Sequence, residues 1–165
     1  KINDQDGIQP RFKVSMVTEE FINYVNDEIF PTLGTGVREV PPGENSVQIQ
    51  YECATAVHPE LEQFRDWYSS GQKVFPHNID LSPTVLKMWW VSDGHLHQYD
   101  GHQTYPVITS LNEIENKQKI ESYFNDIGIS IRRFTWKDIV IDHTDTQAFF
   151  SHIGSPAPGF EHKWP

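Results

Sequence analysis

Residues 81–94 read LSPTVLKMWWVSDG, a dozen mostly apolar, helix-compatible residues that run straight into an acid and a glycine. Ser82 is a candidate N-cap and Pro83 suits the first helical position, so the stretch predicts a helix over 82–93. Gly94 is expected to end it in the left-handed conformation. Asp93 then falls on the last turn, where the partial negative charge of a helix C-terminus disfavours an acid by about 0.3–1 kcal/mol unless a cation offsets it. The rest of the chain has to say which cation, and for what purpose.

Six elements recur in one order. The first half reads RFKVSM, TEEFINYVNDEIFPTLG, GVREV, SVQIQYE, HPELEQFRDWYSSG and QKVFP; the second reads YPVITS, LNEIENKQKIESYFNDIG, ISIRRF, DIVIDHT, DTQAFFSHIG and HKWP. Each half predicts a strand, a helix, two strands, a helix, and a lysine followed closely by proline. Phe12, Val14 and Met16 alternate with Arg11, Lys13 and Ser15, and Val47, Ile49 and Tyr51 with Gln48 and Gln50, the period of strands with one apolar and one polar face. Phe21, Val25 and Ile29 share a helical stripe, as do Ile120, Phe124 and Ile127. Gly34 and Gly128 stand where a helix C-cap glycine belongs, and PPGEN at 41–45 reads as a turn. The fold class is α+β: a first repeat over 1–80 and a second over 81–165. The second opens with the 82–93 helix; the first begins at KINDQDG with no counterpart.

A chain of 165 residues with 37% apolar and 13% aromatic content is long enough for a real core. No apolar run approaches the ~20 residues of a membrane span, no signal-peptide layout begins at Lys1, and the one cysteine, Cys53, leaves no internal disulfide or multi-cysteine zinc site. An intracellular protein is expected. Thirteen Lys and Arg against 23 Asp and Glu give a net charge of −10, which taken alone argues against nucleic acid. The basic residues nevertheless cluster in strand-like pieces, as in Arg11–Phe–Lys13 and Arg132–Arg133. Local basic patches in an acidic skin would suit a salt-adapted organism or an organelle.

With the repeat in place, Leu86–Lys–Met–Trp–Trp–Val–Ser–Asp93–Gly94 resembles the nine-residue motif of the LAGLIDADG homing endonucleases. KVFP…LSP and GFEHKWP are similar to segments flanking that motif in double-motif members, while Lys87, Met88 and Val91 replace small or acidic residues of the namesake. The resemblance implies two αββαββα halves whose antiparallel sheets form a DNA-binding saddle. The motif helices would pack side by side, with Leu86, Trp89, Trp90 and Gly94 in the seam. The first motif would then lie upstream of Lys1, the seam over 83–92 would be uncovered in residues 1–165 alone, and the complete protein would be a monomer.

The resemblance also implies roles. Asp93 would hold Mg²⁺ or another divalent cation against the scissile phosphate, because metal-assisted hydrolysis needs a hard oxygen ligand. Lys73 and Lys163, at matching places ahead of Pro76 and Pro165, would stabilise transition-state charge. Arg11, Lys13, Arg38, Gln48, Gln50, Arg132, Arg133 and Lys137 are candidates to meet bases or phosphates of double-stranded DNA. Arg132 and Arg133 are adjacent, so at most one would lie in the groove. The expected activity is site-specific, metal-dependent cleavage of both strands of a long site, in the service of an intron, an intein or a free-standing gene. The alternative is a non-cleaving relative, such as an intron maturase or a DNA-binding regulator. A rival reading makes Asp93, His95, His97, Asp100 and His102 of the loop HLHQYDGH a transition-metal site; a polar strand touching DNA backbone or solvent is the plainer one.

Overall fold

Alternation at 12–16 yields the first strand, β1 (Lys13–Met16), in a computed structural model that describes residues 10–43, 47–69, 72–73, 75–76, 79–99, 103–111 and 113–165. The chain divides into two compact units, Lys1–Pro76 and His77–Pro165. In the first, β1 leads into α1 (Glu19–Tyr24), whose last turns widen into a π-helical stretch over Val25–Ile29. β2 (Gly34–Val40) and β3 (Gln50–Thr55) follow, and the antiparallel sheet has the order β1-β3-β2. Phe21, Ile22 and Val25 are buried, and Cys53 from the apolar face of β3 is buried with them.

The segment expected as this half's second helix is a 3₁₀ helix, Pro59–Trp67. Its side chains explain the tighter winding, because residues three apart eclipse in that geometry. Arg65 Nη2 donates to Glu62 Oε1 at 3.0 Å, and Phe64 meets Trp67 edge-on at 4.8 Å. Phe12 packs on both of those rings. A short hairpin, β4 (Tyr68–Ser69) with β5 (Gln72–Lys73), follows.

The second unit begins with α2 (Pro83–Asp93), capped by Ser82, whose hydroxyl accepts from the Val85 N–H at 3.4 Å. Then come β6 (Gly94–Tyr99), β7 (Gln103–Thr109), a 3₁₀ turn at Ile114–Asn116, α3 (Lys117–Asp126), β8 (Ile131–Phe134), β9 (Asp138–Ile141) and α4 (Thr146–Ile153). The antiparallel sheet has the order β6-β7-β9-β8. Apart from β6 it repeats the order of the first half, with β7, β8 and β9 in the places of β1, β2 and β3. The likeness reaches an irregularity: each outer strand bulges at the same point of its register, between Gly34 and Val37 in β2 and between Ile131 and Arg133 in β8.

Three expectations are corrected. Gly94 is not left-handed: its φ is −88° and ψ 150°, and it is glycine because a Cβ there would stand 2.1 Å from Trp90 Cε3. Gly34 opens β2 rather than capping a helix, and a Cβ on it would lie 2.6 Å from Asn26 Oδ1 and 2.9 Å from the Asn26 carbonyl. Gly128 does adopt a positive φ, of 73°, directly after α3. The third correction concerns 47–49, where Val47 is 96% and Ile49 43% exposed because β3 starts only at Gln50.

The seam assignment also changes. Leu86 and Trp90 have no exposed surface. Trp90 meets Phe149 and Phe150 of α4 and Trp164 of the C-terminal tail, each nearly edge-on at 5.3, 5.4 and 6.4 Å. Trp89 lies 6.5 Å from Phe124 of α3. Both indoles are therefore directed at elements of their own half, because the helices that follow α2 carry the aromatic partners. Pro83, Thr84 and Ser92 nevertheless stay exposed and Val85, Lys87, Met88 and Trp89 half-buried, so part of 83–92 remains uncovered. The Trp90 Nε1 proton has no hydrogen-bond partner among the described residues, a burden of about 1–3 kcal/mol that the aromatic packing has to outweigh.

Candidate active site and nucleic-acid interface

The cation at the end of α2 is Lys163. Its ammonium donates to the Val91 carbonyl at 2.7 Å and the Gly94 carbonyl at 2.8 Å, satisfying oxygens that a helix end leaves open. The tail is built to deliver it. A 3₁₀ turn, Glu161–Lys163, closes with the Lys163 N–H on the Phe160 carbonyl at 2.9 Å. The next residue, Trp164, donates its Nε1–H to the Gly154 carbonyl at 2.9 Å while its ring lies on Phe150 and Trp90. Phe160 contributes a ring 5.5 Å from the Lys163 ammonium. Burial pulls the Lys163 pKa below the usual lysine value, and the neighbouring Asp93 carboxylate pushes the other way. One charge that makes an acid tolerable on the last turn of α2 is thus covalently part of the chain.

Asp93 itself is exposed at the helix end. Among the described residues no three His, Cys, Asp or Glu side chains converge on one point. The residues present fit a hard cation such as Mg²⁺, which takes one or two carboxylates and keeps several waters. They do not fit a zinc-type centre on Asp93, His95 and His97; Asp100 and His102 lie outside the described residues. Lys73 is in β5, opposite Tyr68, and its side chain lies outside the described residues too.

Strand register sorts the DNA candidates. On the first half's polar face stand Lys13 and Ser15 of β1, Arg38 of β2, and Gln50 and Glu52 of β3. Glu52, 6% exposed, pairs with Lys13 and accepts from Arg38 Nε at 2.9 Å, while Gln50 accepts from the Ser15 hydroxyl at 3.2 Å. Burial works against ionisation of Glu52, but hydrogen bonds and charge from Lys13 and Arg38 together hold its carboxyl below the usual range. Arg11 and Gln48 are exposed beyond the strand ends. Glu52 escaped the sequence reading although it continues the Gln48–Gln50 alternation.

In the second half the corresponding face carries Val107 and Tyr105 of β7, Val140 of β9, Arg133 of β8, and His95 and His97 of β6. Tyr105, Val107 and Val140 form a buried cluster, with the His97 ring 5.2 Å from that of Tyr105. Arg133 pairs across to Val140 and is exposed, whereas Arg132 occupies the bulge. The Thr144 N–H and hydroxyl hold the Asp142 carboxyl below the usual range, with smaller help from the charges of His143 and Arg132. Lys137 is exposed in the β8–β9 turn.

These features meet a known plan. A model of the LAGLIDADG DNA endonuclease family matches residues 1–134. The chain belongs to that family. The homing endonuclease I-WcaI bound to its DNA recognition sequence has a similar fold, with a TM-score of 0.75 over 100% of this chain and 80% of that one, at 15% sequence identity. No match is found among curated proteins.

Proposed function

We propose that this LAGLIDADG protein is a site-specific DNA endonuclease that hydrolyses both strands of a long, asymmetric duplex site with the help of a divalent cation. The observation that carries the reading is the end of α2, where the exposed Asp93 carboxylate and the Lys163 ammonium are brought together by a helix terminus and an aromatic-anchored tail. A divalent cation bound by Asp93 supplies Lewis acidity and an acidified water. Asp93 contributes the anionic oxygen. Lys163, with two of its three protons committed to carbonyls, keeps positive charge beside that carboxylate, where charge develops on a transferring phosphoryl group. Lys73 is assigned the like role in the first half. The sheet residues Lys13, Arg38, Gln50, Arg133 and Lys137 face or border the duplex, with Arg11, Gln48 and Arg132 at the margins.

Plasmid cleavage in Mg²⁺ by the complete protein tests this. Asp93→Asn, which keeps the helix end but removes the charge a metal requires, should abolish cutting and leave duplex binding within a few-fold. Wild-type cutting rates in the variant would remove Asp93 from the mechanism. Tight binding with no cutting by the unaltered protein would leave the maturase or regulator reading in its place.

A further inference from the structure

The connection between β8 and β9 presents a tryptophan to solvent. Trp136 is 66% exposed, at the tip of a turn that is otherwise locked. Thr135 Oγ1 accepts from the Lys137 N–H at 3.2 Å and the Asp138 N–H at 2.9 Å, and its own N–H donates to the Asp138 carbonyl at 2.9 Å. The Lys137 carbonyl is held from the other side by the Ser110 N–H at 2.7 Å. An indole left in water on so rigid a support forfeits burial worth roughly 25 cal/mol per Å², yet nothing in the turn folds over it. The corresponding β2–β3 connection of the first half likewise displays an apolar side chain, the 96% exposed Val47.

The surroundings say what covers the indole. Lys137 follows it immediately and Arg133 lies three residues before it on β8, both exposed, on a chain whose net charge is −10. Two cations beside an apolar plate complement a polyanion that offers apolar deoxyribose faces next to its phosphates, which is the composition of DNA rather than of an acidic peptide. Resting on the DNA-binding reading above, we propose that Trp136 is a contact of the second half with duplex DNA. Its indole lies against the apolar face of a deoxyribose while Lys137 meets an adjacent phosphate. The turn being preordered, little entropy is lost when the contact forms. The contact adds affinity at that position without reading a base edge.

The test uses a mixed-sequence duplex, titrated over a range of salt with the unaltered chain and with Trp136→Ala, Trp136→Phe and Lys137→Ala. Trp136→Ala should weaken binding about tenfold, the loss of roughly 60 Å² of apolar burial, with the salt slope unchanged. Trp136→Phe should keep most of the affinity. Lys137→Ala should lower the log–log slope by about one. Because Trp136 is exposed, the variants should melt with the unaltered protein. A fluorotryptophan resonance assigned to Trp136 by its absence in Trp136→Phe should also shift on adding duplex. Unchanged affinity in Trp136→Ala, or an unmoved resonance while the protein binds, would overturn the contact and leave the endonuclease reading standing. Failure of the unaltered protein to bind duplex at all would remove both.

Discussion

The two halves share a strand order, a register and even the position of a bulge, but their polar faces are made of different material. Where the first half has Lys13 on its opening strand, the second has Val107; where Ala54 stands opposite Lys13, Val140 stands opposite Val107. The first face is held by an ionic cluster, Lys13–Glu52–Arg38, and the second by a buried Tyr105–Val107–Val140 patch with Arg133 beside it. One plan, duplicated, carries an ionic cluster in one half and a buried apolar patch flanked by the exposed Arg133 in the other. That difference suits an asymmetric target.

The largest effect should come from the glycine that has no open space. In Gly94→Ala the new Cβ would meet Trp90, which Phe149, Phe150 and Trp164 hold in place and which cannot retreat. Overpacking of this kind costs about 3 kcal/mol. For a chain of this size the melting temperature should fall by roughly 10 °C. Gly128→Ala, which meets nothing within 4 Å but must keep a φ of +73°, should cost only about 1 kcal/mol. Equal losses in the two variants would mean that Trp90 yields, and the aromatic lock on α2 would fail as an explanation.

Next in size is Lys163→Met. It removes two charge-assisted hydrogen bonds to the end of α2 and leaves Asp93 facing the helix dipole without its cation, about 2 kcal/mol in all. The cleavage rate should fall with it. Calorimetry of the variant separates a structural role from a chemical one: loss of cleavage with unchanged stability would show that the two carbonyl bonds do not matter for the fold.

A smaller effect is expected from Glu52→Gln, which acts on the first half alone. With the folded pKa depressed, the stabilisation from Glu52 is present above the ordinary glutamate value and lost as pH falls through the folded one. The variant should therefore be about 1 kcal/mol less stable at neutral pH, because its two partners are themselves partly or largely exposed, and the gap should close in acid. It should also bind duplex more tightly at low salt, since Lys13 and Arg38 lose their internal anion. Weaker binding would mean that Glu52 positions those cations rather than competing for them.

Much of this was legible in the residues. Period-two alternation located β1, and Ser82, Pro83 and Gly94 bracket α2 because capping is a local matter. The repeat carried the α+β architecture. What escaped depended on distant contacts. Gly94 is the local exception, since its glycine answers to Trp90, four residues back, rather than to φ. Nothing at 47–49 says that β3 begins late. The ionic cluster needed cross-strand register, which alternation alone does not give. The direction of the two tryptophans was settled by phenylalanines, Phe124, Phe149 and Phe150, that lie dozens of residues away in sequence. Local chemistry was readable; the choice among burial partners was not.

The finest distinction between the halves lies in the salt dependence of binding. A cation that neutralises one phosphate contributes about 0.9 to the log–log slope. Arg133 stands opposite Val140, beside an apolar patch and with no ion pair among the described residues, so its whole charge is available to the duplex. Lys13 is already matched by Glu52, and to reach a phosphate it has to give up that partner. Arg133→Ala should therefore lower the slope by nearly one, and Lys13→Ala by distinctly less. In the Glu52→Gln background the Lys13→Ala effect should grow towards that of Arg133, because the competing anion is gone. Titrations of a mixed-sequence duplex by the four variants measure all three quantities. Equal slopes for Lys13→Ala with and without Glu52 would show that the cluster opens freely on DNA, and the two faces would then differ in composition but not in electrostatic behaviour.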